Sequence, residues 1–458
     1  MSDALVNIEK MKQKAQIPGK KAPAWHAHYH GKVETALKCS VAEIEDFGIW
    51  YTPGVAAPCR EIEADPGKVF DYTNKANTVA VVSDGSRVLG LGNIGPHAGL
   101  PVMEGKALLF KYLGGVGAFP IMLDTQDPDE IIQAVKWIAP GFGGINLEDF
   151  SSPKCFYILD RLREELDIPV WHDDQQGTAA ITLAGVINAL KFVGKDLSDV
   201  QVTQLGIGAA GTAVVRVLIK AGVPAERIRV VDLIDGSPTL LTPEMDLEKL
   251  FPYRGEMLAS TNDEGVRGGI AEALSGADVM ISFTRPGPGT IKKEWLAGMS
   301  SDAIAFMMAN PIPEIWPWEA KEAGVRIVGT GRSDFPNQVN NSIGFPGIFR
   351  GTLDVFATTI TDEMAIAAAY AIAKTAEEKG LSEDYVVPTM METEVFINEA
   401  VAVGLKAIEQ GIARRILSEE ELRREAEEKI RHAQEETKIL MRAGHIAPPP
   451  DVAISNDA

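Results

Sequence analysis

Two pairs of adjacent acidic residues end two segments that are predicted to be β-strands. Glu148 and Asp149 end the segment GGINLED, and Asp173 and Asp174 end the segment IPVWHDD, 25 residues later. Neighbouring residues on a strand face opposite sides of a sheet, so both members of a pair can serve one site only at a strand end. Several carboxylates in one place repel each other unless a cation lies between them, and all-oxygen ligation suits Mg²⁺ or Mn²⁺. Each pair alone could equally be a helix cap, but beside a cofactor motif the two pairs predict a metal site.

A glycine motif follows about 30 residues downstream, in the segment LGIGAAG. The strand-like VQVTQL precedes it, the apolar helix TAVVRVLIKAG follows it, and Asp232 closes the next strand, 21 residues after Gly211. This is the context of a dinucleotide-binding turn, in which the diphosphate lies at the helix N-terminus and the acidic residue accepts the ribose hydroxyls. The predicted cofactor contacts are Gly206, Gly208, Ala209, Ala210, Gly211 and Asp232.

The choice of dinucleotide is predicted from the residues around Asp232. No arginine or lysine directly follows Asp232 to hold a 2′-phosphate, and Asp235 would repel one. The sequence therefore favours NAD over NADP.

A lysine and a tyrosine are candidates for proton transfer. Lys106 lies on a predicted helix (GKALLFK) after a glycine-rich loop, and a lysine near a metal and carboxylates can be neutral and act as a base. Tyr51, in WYTPGVA, precedes a proline turn and could act as an acid. Taken alone, Lys106 is better explained as a solvated surface residue, and Tyr51 as a half-buried aromatic.

The elements that must position these residues alternate between strand and helix from residue 78 to residue 331, and only helices are predicted beyond about 355. This pattern predicts an α/β fold: an N-terminal α/β catalytic domain (1–175), a Rossmann-type doubly wound NAD(P)-binding domain (176–345) and a helical C-terminal segment (346–458) that packs back on the first domain. Before these elements, the alternating His26, His28 and His30 predict a polar surface strand.

Composition narrows the class of protein. The chain has 458 residues, is 45% apolar and carries a formal net charge of −20, which disfavours binding to nucleic acid. The longest strictly apolar run, Met364 to Ala373, has ten residues, fewer than the roughly 18 that a membrane-spanning helix needs, and the N-terminus does not have the apolar core of a signal peptide. Three widely spaced cysteines fit a reduced, cytoplasmic protein.

Several segments, in order and at fitting spacing, make the chain resemble the malic enzymes of the smaller prokaryotic type over roughly residues 25–415. The segments that carry the resemblance are YTPGVA (51–56), SDGSRVLGLGNIGPHAG (83–99), MEGKALLFK (103–111), GGINLEDFSSPKCF (143–156), HDDQQGTA (172–179), ANPIPEI (309–315) and GRSDFPNQVNNSIGFPGIFRG (331–351). The resemblance implies oxidation of L-malate at C2 with NAD(P)⁺, followed by decarboxylation to pyruvate and CO₂, and it implies a homodimer.

The resemblance also implies roles for individual residues. Lys106 would take the C2 hydroxyl proton, Asp173 would tune that lysine, and Tyr51 would protonate the enolpyruvate carbon. Glu148, Asp149 and Asp174 would be the ligands of Mg²⁺ or Mn²⁺. The residues matched to substrate and nicotinamide contacts are Asn310, Asn341, the adjacent Thr178 and, as a ligand for a substrate carboxylate, Arg87.

Two other functions remain open at this point. The same scaffold could carry out a redox-neutral malolactic conversion or oxidise another 2-hydroxy acid, although the set of Tyr51, Lys106 and acidic residues favours the decarboxylating reaction. A catalytically idle nucleotide sensor would be indicated by loss of a ligand or of the lysine, and neither is missing.

Overall fold

The computed structural model describes the backbone of residues 2–452 and the side chains of residues 16–452. Two parallel sheets with helices on their faces make up most of it. The strands are β1 (Thr78–Ser83), β2 (Gly117–Met122), β3 (Gly144–Leu147), β4 (Val170–His172), β5 (Val202–Leu205), β6 (Ile228–Ile234), β7 (Ser237–Leu240), β8 (Val279–Ser282), β9 (Ile304–Met307) and β10 (Ile327–Thr330). The helices are α1 (Ser2–Tyr29), α2 (Asp46–Trp50), α3 (Ala56–Ala64), α4 (Val69–Tyr72), α5 (Gly95–Gly114), α6 (Pro128–Ile138), α7 (Lys154–Glu165), α8 (Thr178–Val193), α9 (Ala209–Ala221), α10 (Leu247–Leu250), α11 (Gly255–Ala259), α12 (Ile270–Leu274), α13 (Lys293–Leu296), α14 (Pro317–Glu322), α15 (Phe345–Asp354), α16 (Asp362–Lys379), α17 (Thr393–Glu409) and α18 (Glu419–Arg442).

The first sheet has the strand order β2-β1-β3-β4, and all of its strands are parallel. Its central strand β1 (TVAVVS) is rich in β-branched residues and is buried at every position, as expected for a strand covered on both faces. Val82 pairs with Leu147, and Leu147 pairs with His172. This register brings the carboxyl ends of β1, β3 and β4 to one edge of the sheet.

The second sheet has the order β10-β9-β8-β5-β6-β7 and is parallel except for β7, which runs antiparallel to β6. Asp235 and Gly236 form the turn of that hairpin with φ values of 50° and 79°, the left-handed conformation that such two-residue turns require. The predicted α/β class with a Rossmann-type sheet is therefore confirmed.

The C-terminal helices contact both parts of the fold. Ser418 and Glu421 form a capping box at the start of α18, and Leu422, Ala426 and Ile430 are buried as a stripe. A Cβ on Gly115, at the end of α5, would lie only 2.6 Å from the Lys429 carbonyl oxygen, so α5 and α18 are in backbone contact there. Helix α16 packs on α8.

The N-terminal region differs from the prediction. Residues 26, 28 and 30 lie in and just after α1, not on a strand, and the helical backbone turns alternate side chains in different directions. No residue between 16 and 77 is buried. Large apolar side chains are exposed throughout this region, among them those of Leu37, Ile44, Phe47, Ile49, Trp50 and Tyr51.

One helical stretch in the described chain, Asp173–Val193, has the length and apolar composition that could cross a membrane. Most of it is buried inside the protein, because α8 packs against α9 and α16. Burial of this kind is typical of a core helix.

Glu399 is a buried acid in the middle of α17. Its side chain is fully buried, and within the described chain neither carboxyl oxygen has a hydrogen-bond partner. Gly347 on α15 leaves room for it, since a Cβ there would lie 2.5 Å from Oε2. Burial raises the pKa of Glu399 well above its usual value and so favours the neutral form of this carboxyl group.

Replacement of Glu399 by glutamine tests this assignment. Above the usual carboxyl pKa the unfolded chain releases the proton that the folded protein keeps, so the wild type loses stability as pH rises. We expect Glu399→Gln to unfold at a higher temperature than the wild type at pH 8, and the gap to shrink towards pH 5, by up to about 1.4 kcal/mol per pH unit. Glu409→Gln, an exposed change on the same helix, is the control. Equal pH dependence in wild type and Glu399→Gln would contradict a neutral Glu399.

Candidate active site

Lys106 is buried between two of the predicted acidic residues. Helix α5 brings its Nζ atom to 2.6 Å from Asp173 Oδ2, just after β4, and to 2.9 Å from Glu148 Oε1, just after β3. Nζ also lies 4.4 Å from the centre of the Phe345 ring. Lys106 is only 8% exposed, so it is not a solvated surface residue.

Both carboxylates are held in place by further contacts. Trp171 Nε1 donates a hydrogen bond to the second oxygen of Asp173 (3.1 Å), and Asn146 Nδ2 donates one to the second oxygen of Glu148 (2.8 Å). Gly177 leaves the space that Asp173 fills, since a Cβ at 177 would lie 1.9 Å from Asp173 Oδ1. Residues 173–177 form a π-helical turn, an irregularity that is frequent at functional sites.

The other two predicted acidic residues lie beside this pair. The backbone N–H of Asp149 donates to Asp174 Oδ2 at 2.8 Å, and Asp149 has a φ of 58°, an uncommon conformation for a residue with a side chain. Asp149 Oδ2 is buried and has no hydrogen-bond partner within the described chain. Burial, together with the neighbouring charge of Asp174, raises the pKa of Asp149, and burial raises the pKa of Glu148.

These acidic residues fit a divalent cation in their chemistry. Within residues 16–452, no three His, Cys, Asp or Glu side chains are already arranged as metal ligands, because Glu148 is turned towards Lys106 and Asp174 towards a backbone amide. One oxygen of Asp149 nevertheless has no hydrogen-bond partner among the described residues, and the nearby charge of Asp174 helps to raise the pKa of Asp149. A cation between these carboxylates would relieve their repulsion. Glu148, Asp149 and Asp174 are therefore the residues that could hold Mg²⁺ or Mn²⁺.

The charge of Lys106 depends on the acidic residues around it. Burial by itself would lower its pKa, but the charges of Asp173, Glu148 and Asp174 outweigh burial, and the net pKa is raised. These carboxylates therefore favour the ammonium form of Lys106. A neutral Lys106 requires that a cation offset these carboxylates.

The glycine motif forms a tight turn between β5 and α9. Gly206 has a φ of 83°, and a Cβ on Gly211 would lie 2.0 Å from the Gly206 carbonyl oxygen, so only glycine fits at 211. Space around Gly208 is open, with nothing within 4 Å of a Cβ placed there. The turn therefore leaves free space at the N-terminus of α9, where a dinucleotide diphosphate would lie. Asp232, on the neighbouring β6, accepts a hydrogen bond from the N–H of Leu233 (2.8 Å).

Loops of the two sheets meet near these residues. A Cβ on Gly90, in the loop after β1, would lie 2.4 Å from the carbonyl oxygen of Asn310, in the loop after β9. Asn341 lies next to the π-helical turn, with its Cβ 3.4 Å from the Cβ position of Gly177. Thr178 follows that turn directly and begins α8. The structure thus brings both asparagines to the boundary between the two sheets.

Two predicted site residues are more exposed. The backbone N–H of Arg87 donates to the Asp149 carbonyl oxygen (2.9 Å). Among the described residues, its exposed guanidinium makes only a long hydrogen bond to the Leu89 carbonyl oxygen (3.4 Å), so it is available to an anion beside the acidic residues. Tyr51 is 73% exposed, and its hydroxyl makes no hydrogen bond to the described residues. The single chain does not bring Tyr51 into contact with Lys106.

Sequence reasoning missed further buried polar residues at the strand ends. Asp84, fully buried after β1, accepts a hydrogen bond from Lys154 Nζ at the start of α7 (2.5 Å). His172, at the end of β4, is fully buried, and burial lowers its pKa to about 4, so its ring is neutral. Asp84 lies in the segment SDGS and His172 in the segment HDDQ. Both follow predicted strands, and this position could have identified them as candidate site residues.

Two family models and several known proteins match this chain. The family model described as "Malic enzyme, N-terminal domain" matches residues 30–163, and "Malic enzyme, NAD binding domain" matches residues 175–230 and 325–408. The chain is 48% identical over 401 residues to a bifunctional malic/malolactic enzyme of Bacillus subtilis (87% of this chain, 96% of the relative). It is 50% identical over 388 residues to an NAD-dependent malic enzyme of Geobacillus stearothermophilus (85% and 79%). A crystal structure of malic enzyme from Pyrococcus horikoshii superimposes with a TM-score of 0.88 at 58% identity (90% of this chain, 95% of that one).

The fold and the site together define the class of protein. It is an α/β enzyme with two sheets, a dinucleotide-binding turn in the second sheet, and a buried lysine between carboxylates at the edge of the first. Within that class, the chain belongs to the malic enzyme family.

The open space at Gly208 gives a direct test of the dinucleotide site. Gly208→Ala meets no protein atom, so the fold should be unaffected, but the methyl group enters the space where the diphosphate would lie. We expect the Kd for NAD⁺, measured by titration calorimetry, to rise about tenfold or more, and the unfolding temperature without ligand to stay unchanged. Gly298→Ala is an exposed change between α13 and β9 of the second sheet. This control should leave both the Kd for NAD⁺ and the unfolding temperature unchanged. Wild-type affinity in Gly208→Ala would contradict this location of the diphosphate.

Proposed function

We propose that this protein catalyses the oxidative decarboxylation of L-malate to pyruvate and CO₂, with reduction of NAD⁺ and dependence on Mg²⁺ or Mn²⁺. The observation that carries the proposal is the buried Lys106 within hydrogen-bond distance of Asp173 and Glu148, in a protein of the malic enzyme family. NAD is preferred to NADP because Asp232 lies where the ribose hydroxyls would bind and the related Geobacillus protein is an NAD-dependent malic enzyme.

In this mechanism the chain's own residues bind malate and move two protons. Arg87 offers its guanidinium to a malate carboxylate, and Asn310 and Asn341 orient substrate and nicotinamide. In its neutral form Lys106 accepts the C2 hydroxyl proton at Nζ, and Asp173 keeps that atom in position. Tyr51 then delivers a proton to the carbon that loses CO₂.

A divalent cation and the dinucleotide would supply the rest of the chemistry. Glu148, Asp149 and Asp174 would hold a divalent cation, which would make the hydroxyl group more acidic and stabilise negative charge on oxygen, and the glycine turn before α9 would hold NAD⁺, the hydride acceptor.

The assay combines L-malate, NAD⁺ and Mn²⁺, and follows both reduced cofactor and product. We expect one mole of pyruvate per mole of NADH, and loss of both when a chelator is added. Lactate without accumulation of NADH would favour the malolactic reaction, for which the relation to a bifunctional malic/malolactic enzyme is the specific observation. Dinucleotide binding with no turnover of malate would contradict both enzymatic proposals.

The space at Gly177 tests the role of Asp173. In Gly177→Ala the added methyl group would lie 1.9 Å from Asp173 Oδ1 and must push this carboxylate away from Lys106. We expect kcat to fall about 100-fold or more, since displacements of about 1 Å have effects of this size. Gly141→Ala, an exposed change with nothing within 4 Å of the new Cβ, is the matched control. A folded Gly177→Ala protein with wild-type turnover would contradict the role of Asp173.

We also infer a homodimer in the cytoplasm, with no nucleic-acid or membrane partner. The exposed apolar side chains between residues 16 and 77 support a second copy as the partner that covers this region. Three free cysteines support the cytoplasm as the compartment, and a net charge of −20 supports the absence of a nucleic-acid partner. Because Tyr51 lies in this exposed region and away from its own Lys106, we infer that it serves the site of the second copy.

A hybrid dimer tests this arrangement. One protomer carries Tyr51→Phe and the other Lys106→Ala, and two different affinity tags allow the hybrid to be purified. If Tyr51 acts across the interface, one site of the hybrid has both native residues, and the hybrid should keep about half of the wild-type kcat. Each homodimeric variant is the control. A hybrid no more active than the mean of the two homodimers would show that Tyr51 acts within its own chain.

A further inference from the structure

Arg254 lies between the two sheets, close to the dinucleotide-binding turn. Its Nη1 atom is 3.5 Å from Thr212 Oγ1, in the first turn of α9, and 3.3 Å from Ser152 Oγ, in the loop before α7. Thr212 directly follows Gly211, the last glycine of the motif. Arg254 therefore borders the helix N-terminus at which a dinucleotide diphosphate would lie.

The charge of Arg254 is not balanced by the protein. Within residues 16–452 no carboxylate forms an ion pair with it, its Nε–H is buried without an acceptor, and the two hydroxyl contacts are long. Burial lowers its pKa, and the charge of Asp232 only partly offsets this. A half-buried guanidinium with unused donors is a site for an anion.

The surroundings of Arg254 hold its side chain in one orientation. The Phe156 ring of the first sheet's α7 and the Phe251 ring of the second sheet's core lie 5.1 and 5.2 Å from the guanidinium carbon. Gly255 lets the chain pass close to α10, since a Cβ there would lie 2.5 Å from the Glu248 backbone. A planar guanidinium fixed in this way can bind two oxygens of one anion.

We propose that Arg254 binds the diphosphate group of the dinucleotide at the N-terminus of α9. The inference rests on the dinucleotide dependence of the proposed function and adds a side chain that the glycine motif does not contain. Arg254 lies in the segment between residues 230 and 325, which the family model does not match. It is 22 residues beyond Asp232 and forms no ion pair with it, whereas it approaches Thr212, so the diphosphate fits its position better than a 2′-phosphate does.

The test measures binding to the whole protein without malate, by titration calorimetry and competition. The probes are NAD⁺, ADP-ribose, 2′-phospho-ADP-ribose and adenosine. In Arg254→Gln we expect the Kd of the three diphosphate compounds to rise by a similar factor, about 10- to 100-fold, because one or two charge-assisted hydrogen bonds are lost. Adenosine, which has no phosphate, should bind as it does to the wild type.

Two variants control for charge and folding. Arg267→Gln removes an exposed arginine of the same unit and should change no Kd by more than about twofold. Arg254→Lys keeps the charge but not the fork, and should show an intermediate loss, so it serves as the test if Arg254→Gln does not fold.

Each alternative outcome overturns a defined statement. Equal Kd values for ADP-ribose in the wild type and the Arg254 variants would overturn the proposal. So would a rise in Kd for 2′-phospho-ADP-ribose alone, or an equal rise in Kd for adenosine. A wild-type protein that binds no ADP-ribose would instead contradict the dinucleotide dependence of the proposed function.

Discussion

A buried ammonium group is stable only beside negative charge, and this requirement fixes the geometry around Lys106. Its partners Asp173 and Glu148 can both reach one atom because β3 and β4 are parallel and end at the same edge of the sheet. Helix α5 must then pack closely enough on that sheet to bring Nζ between them. The contacts of Trp171 and Asn146 complete the hydrogen bonding that two buried carboxylates need.

The same requirement explains several small residues at this edge. Asp173 occupies the space that a side chain at 177 would fill, and close backbone approach at Gly90 brings the loops of the two sheets together beside Asn310. Glycine is needed at these positions because neighbouring atoms come too near for a Cβ. The boundary between the sheets is therefore formed by backbone contact, and the polar side chains extend from it towards common space.

The sequence predicts the elements and the residues whose chemistry is local, and it does not predict partners brought together by the fold. Alternating strands and helices, the glycine turn and the acidic pairs at strand ends follow from short-range pattern, and the structure has them where the pattern predicts. The hydrogen bonds of Trp171 and Asn146, each to a residue two positions further along the chain, depend on side-chain orientation. The position of Arg254 depends on tertiary contacts, and spacing along the chain encodes neither. Tyr51 is exposed because its segment packs against nothing that is buried in the single chain.

Charge balance at the acidic residues has a consequence for substrate binding. Lys106 supplies one positive charge among Glu148, Asp149, Asp173 and Asp174, and burial together with the neighbouring negative charges raises the pKa values of Glu148 and Asp149. A dicarboxylate substrate adds two further negative charges and would increase the repulsion. A divalent cation offsets both sets of charges at once, and it also weakens the hold of the carboxylates on the Lys106 proton. Binding of the substrate and readiness of the base therefore depend on the same cation, because both are opposed by the same buried negative charge.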